Sequence, residues 1–71
     1  MARIPQAVAK YITEYEQTET DVRDYIVMQI GYYHEIREKG GTTAAQWLGF
    51  KMGCSSAAAA TAIKWANKET K

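Results

Sequence analysis

"GFKMGCSSAAAATAIKW", Gly49 to Trp65, is the stretch on which the reading of this chain turns. Alanine has the highest helix propensity of all residues, so the run Ala57 to Ala60 signals helix and not disorder. Gly53 can end a preceding helix in the left-handed conformation. Ser55 or Ser56 can accept the first free N–H groups of the helix that follows. A helix so poor in large side chains lets a neighbouring axis come close, and Gly49 removes bulk just before the turn. The stretch therefore reads as two helices joined tightly at Gly53. What the outer side of the second one touches is the open question.

Working backwards, "KGGTT" is the clearest break in the chain. Gly40 suits a left-handed C-cap, and Thr43 with Gln46 makes a capping box. The third helix is then Ala44 to about Met52, with Trp47, Leu48, Met52 and also Phe50 available for a core. Upstream, Val22, Ile26, Ile30, Tyr33 and Ile36 recur at helical spacing. Tyr25, Val27, Met28 and Tyr32 form a second apolar strip beside them. This predicts a helix from about Asp21 to Lys39, apolar round much of its circumference and so a central post or a subunit contact. Ile4, Val8, Tyr11, Ile12 and Tyr15 form an earlier stripe, predicting a helix over about residues 5–17 with Pro5 in its first turn. Thr18 and Thr20 are both candidate caps between the two, and one long bent helix is the alternative. The fourth helix runs from the serine pair to about Asn67. The expected fold is all-α: one small domain, residues 1–71, a compact bundle of three to four helices.

Composition narrows the function classes. A chain of 71 residues buries only about 60% of its unfolded surface, so self-association is a reasonable source of extra burial. One cysteine allows no internal disulfide, and one histidine provides no zinc spacing. No metal and no cofactor is expected. "MARIPQAVAK" lacks the apolar core of a signal peptide, and no run approaches the roughly 18 apolar residues of a membrane span. The cytosol is the expected compartment. Net charge is +1, but residues 1–50 hold five basic and seven acidic side chains, while residues 51–71 hold Lys51, Lys64, Lys68 and Lys71 against Glu69. The last third is net positive.

Leu48, Gly49, Gly53, Cys54 and Ser55, followed by Ala59 and Ala62 at inward-facing offsets, resemble the common helix-turn-helix run. Gly49 takes the crossing position, Gly53 the turn, Cys54 the buried turn residue, and Ser55 or Ser56 the cap. The likeness covers residues 43–65 and is to a broad DNA-binding superfamily. It implies a C-terminal helix pair whose second member enters the major groove. The outward positions would then be Ser56, Ala57, Ala60, Thr61 and Lys64. Arg, Asn and Gln, which read base edges through forked groups, do not occur between Gly53 and Trp65. Ala and Thr can touch thymine methyls, Ser55, Ser56 and Thr61 can reach phosphate, and Lys51, Lys64 and Lys68 can hold the backbone.

The other candidates have ordinary explanations. His34 and Glu38 stand four apart on a helix and suit a surface hydrogen bond. Cys54 has no base nearby in sequence and reads as a buried thiol. Glu14, Glu16, Glu19, Asp21 and Asp24 cluster round the first turn, as a solvated loop or a docking patch for a basic partner. Tyr25, Met28, Tyr32 and Tyr33 on the second helix are the candidate protein interface, since Tyr combines an apolar ring with a wet hydroxyl. No catalytic constellation is present, so an enzyme and a small-molecule substrate are not expected. Two readings stay open: a small dimeric DNA-binding regulator, or an adaptor or inhibitor that binds a protein. Stand-alone helical chains of this size are of the kind found on phages and mobile elements.

Overall fold

The computed structural model describes the backbone of residues 4–69 and the side chains of residues 4–67. Four helices follow one another: α1 Gln6–Tyr15, α2 Glu19–Glu35, α3 Ala44–Met52 and α4 Ser56–Glu69. The all-α bundle expected from periodicity is what the chain forms.

The first boundary is made without glycine. Glu16 adopts a left-handed conformation (φ 52°, ψ 47°), and its N–H and that of Gln17 both donate to the Ile12 carbonyl. Two residues on, the Thr18 hydroxyl accepts the Asp21 N–H at 3.1 Å while the Asp21 carboxylate accepts the Thr18 N–H at 3.1 Å. This capping box starts α2 at Glu19 and rules out one long bent helix. A second box, Thr43 with Gln46, starts α3 as its sequence suggests, at 3.0 and 3.1 Å. Thr18→Ala or Thr43→Ala should each cost about 1 kcal/mol, read as a drop in the urea midpoint with unchanged slope.

α2 stops four residues short of the expected Lys39. Ile36 turns to extended backbone (φ −74°, ψ 123°), and the Tyr33 hydroxyl donates to the Thr42 carbonyl at 2.6 Å. Continuing the helix to Lys39 would carry the chain about 6 Å onward and break that anchor. Gly40 and Gly41 are left-handed (φ 60° and 80°), but they shape a turn closed by Thr42 N–H on the Lys39 carbonyl, not the C-cap of α2. Glu38 therefore lies outside the helix, and His34 and Glu38 are not the helical pair their spacing suggested.

α2 and α4 each pack against all three other helices. The buried core takes Val8 from α1, Val22 and Ile26 from α2, Leu48 from α3, and Ala59, Ala62, Trp65 and Ala66 from α4. Three alanines at the centre of α4 let the other helices close in, and Trp65 fills the end of the core with the Arg23 guanidinium 5.2 Å from its ring. Gln29 is the buried polar side chain of the core, and no group among the described residues donates to its Oε1. Phe50, a sequence candidate for the core, instead stands 84% exposed. α3 carries large apolar residues on every side, so periodicity alone does not say which one faces inward.

Candidate nucleic-acid interface

The α3–turn–α4 pair is held at its backbone. Gly53 takes the left-handed conformation (φ 72°, ψ 37°) that glycine adopts without strain. The N–H groups of Gly53 and Cys54 both donate to the Gly49 carbonyl, at 2.8 and 2.9 Å. A Cβ added at Gly49 would lie 2.8 Å from the Cys54 carbonyl oxygen, so only glycine permits this approach. Ser55, not Ser56, caps α4: its hydroxyl accepts the Ala58 N–H at 3.2 Å and its carbonyl the Ala59 N–H at 2.9 Å.

α4 divides cleanly into two sides. Ala59, Ala62 and Ala66 are fully buried against the core. Ser56, Ala57, Ala60, Thr61 and Lys64 are exposed along the opposite side, and Ser55 is exposed at its start. The Lys68 side chain lies outside the described residues. The Thr61 hydroxyl donates to the Ala57 carbonyl at 3.2 Å. Pro5, Gln6 and Ala7 at the start of α1 share a shallow hollow with Ala58 and Thr61.

Lys51, at the end of α3, is exposed with its Nζ 4.9 Å from the centre of the Trp47 ring, and the Tyr25 hydroxyl reaches its carbonyl at 3.5 Å. Between α3 and the first turn of α4 opens a groove of about 480 Å³, lined by Gln46, Gly49, Phe50, Gly53, Cys54 and Ser56. On the other side of the turn, Lys10, Tyr11, Glu14 and Tyr15 line a second hollow with Met52, Gly53 and Cys54. Cys54 sits between the two, half-buried, and burial pushes its thiol pKa up, away from the thiolate a nucleophile needs. Among the described residues no group of three or more His, Cys, Asp or Glu is placed to hold a metal.

The tyrosines separate into two sets. Tyr25 stacks on Tyr11 at 5.5 Å, and burial, followed by the neighbouring Tyr25, raises the Tyr11 pKa. Tyr33 is held by Thr42 and lies beneath Lys39, whose Nζ is 4.3 Å from its ring centre. Tyr25 and Tyr33 are thus engaged within the chain, whereas Met28 and Tyr32 are nearly half exposed on the outer side of α2 beside Val27. Glu14, Glu16, Glu19, Asp21 and Asp24 are exposed round the α1–α2 junction. Through Asn67, α3, the turn and α4 carry Lys51 and Lys64 and no acidic residue, a segregation that the charge counts only hinted at.

Neither Phe50 nor Gln46 was legible as part of a site; the groove that joins them to Ser56 exists only once α3 and α4 are packed. No helix among the described residues is long and apolar enough to cross a membrane. No family model, curated protein or solved structure matches the chain, so its reading rests on this geometry.

Proposed function

We propose that this chain is a small DNA-binding regulatory protein of helix-turn-helix type. The observation that carries the reading is the close glycine crossing of α3 and α4, which leaves Ser56, Ala57, Ala60, Thr61 and Lys64 on one outward side of α4. α4 is the recognition helix, and Lys51, Lys64 and Lys68 contact phosphate. Neutralising phosphates releases counterions, so affinity for random duplex DNA should fall steeply with salt. A Lys51/Lys64/Lys68 triple alanine variant should bind far more weakly, its log–log salt slope flattened by about one per lysine. Absence of binding to duplex DNA at low salt overturns the proposal.

The regulator acts as a dimer through the strip of Val27, Met28 and Tyr32 on α2. Sedimentation should find a dimer that Tyr32→Glu converts to monomer; a monomer at high concentration removes this part of the reading.

One observation favours a second reading, a helical module that binds a protein and not DNA. Phe50 is almost fully exposed and lines the groove, so an apolar ring is offered at a concave surface of the kind that takes a partner's side chain. Phe50→Ser together with the lysine variant separates the two: loss of a protein partner through Phe50 alone, with no DNA affinity, supports the module.

A further inference from the structure

We infer that α2 and α3 bind a single internal water molecule between the Gln29 side-chain carbonyl and the Trp47 indole N–H, the middle rung of a polar ladder that sets the register of α3 on α2. This site is independent of what α4 binds.

Two buried polar atoms at this seam have no hydrogen-bond partner among the described residues: Gln29 Oε1, an acceptor, and Trp47 Nε1, a donor. Gln29 is only 9% exposed. A buried polar atom left unpaired costs more than an ordinary hydrogen bond gains, so both atoms call for a partner.

Helical phase sets the two atoms against one another. Tyr25, Gln29 and Tyr33 stand four residues apart on α2 and share one ridge. The ends of that ridge meet α3 and its cap in reverse order. The Tyr25 hydroxyl reaches the Lys51 carbonyl at 3.5 Å, and the Tyr33 hydroxyl donates to the Thr42 carbonyl at 2.6 Å. Thr43, Trp47 and Lys51 form the matching ridge at the same spacing, and the Tyr33 and Trp47 rings lie 6.1 Å apart. Antiparallel pairing anchored at both ends brings Gln29 opposite Trp47. Shifting α3 by one residue would break all the rungs together, which an apolar seam would not resist in this way.

The chemistry selects water as the bridge. Gln29 and Trp47 do not bond one another directly. The Tyr25 and Tyr33 hydroxyls already donate to backbone carbonyls, so neither has a proton for Gln29. A water accepts from the indole N–H and donates to the amide oxygen, completing both. With the amide turned over, its NH2 group would face another donor, so the orientation seen is the one a water satisfies.

A water-selected NOE experiment on the isotope-labelled protein reads the site. The Trp47 indole N–H should show a cross-peak to water with the sign of a bound, slowly tumbling molecule. Gln29→Met, whose fold is checked by circular dichroism, should remove it. Gln29→Met and Trp47→Phe should each lower the folding equilibrium constant by about fivefold or more. The double variant should lose less than the product of the two, because each single change strands the other's polar atom. Absence of the cross-peak in the unaltered protein overturns the water site, and coupled losses without it mean a direct hydrogen bond instead. A cross-peak that survives Gln29→Met overturns the assignment to Gln29. Losses that simply multiply overturn the ladder.

Discussion

Gly49→Ala should destabilise the protein by about 1–3 kcal/mol and lower its thermal midpoint by roughly 5–20 °C. Two effects oppose one another. Alanine in place of glycine within a helix gains up to about 1 kcal/mol from propensity. Against this, the new methyl would sit 2.8 Å from a backbone carbonyl oxygen, that of Cys54. That oxygen has little freedom to move, because the Cys54 N–H is bonded to Gly49 itself at 2.9 Å. The turn must therefore shift as a unit, straining the crossing of α3 on α4, and the steric term wins. Gly31→Ala is the control. Gly31 lies mid-helix in α2 with nothing within 4 Å of an added Cβ, so there the propensity term acts alone. That variant should be stabilised by about 0.5–1 kcal/mol. Urea unfolding of both checks the pair; equal shifts of one sign would show that Gly49 is not sterically required.

Ile26→Ala should cost about 2–5 kcal/mol, enough to leave a large unfolded population in a domain of this size. Ile26 is 1% exposed and among the largest fully buried side chains, in a core to which α4 contributes three alanines. Ala59, Ala62 and Ala66 have no longer rotamer with which to fill a void, so the cavity persists. Phe50→Ala removes more carbon from an 84% exposed ring and should change stability by no more than about 0.5 kcal/mol. Circular dichroism melts of the two variants test the contrast; a similar loss for both would mean that Phe50 is packed in solution.

Much of this could be read from residue order. The capping box at Thr43, the left-handed turn at Gly53 and the start of α4 are local events, made by residues three or four positions apart, whereas the sequence left Thr18 and Thr20 both open as the cap of α2 and placed its start two residues late, at Asp21. Local hydrogen bonding and steric limits act on the chain before tertiary contacts form. The break at Glu16 is different, because a left-handed glutamate carries no sequence signal. The early end of α2 is also different. It follows from Tyr33 reaching Thr42, a bond across a loop that helical periodicity cannot register.

The candidate site divides along the same line. The outward set on α4, Ser56, Ala57, Ala60, Thr61 and Lys64, follows from helical phase once Ala59 and Ala62 are taken as inward. The groove with Phe50 does not, since α3 offers Trp47, Leu48, Phe50 and Met52 and the phase of so apolar a helix is ambiguous.

Residue order alone therefore dictated that the chain is helical, where three of its four helices begin, and that α3 and α4 meet at a glycine. Packing alone decided where α2 stops, that Phe50 faces solvent, that Gln29 is enclosed, and that Tyr25 and Tyr33 turn to partners within the chain. The reason is range. Caps and turns depend on neighbours a few bonds away, whereas burial depends on which surfaces remain uncovered after four short helices have closed over one small core.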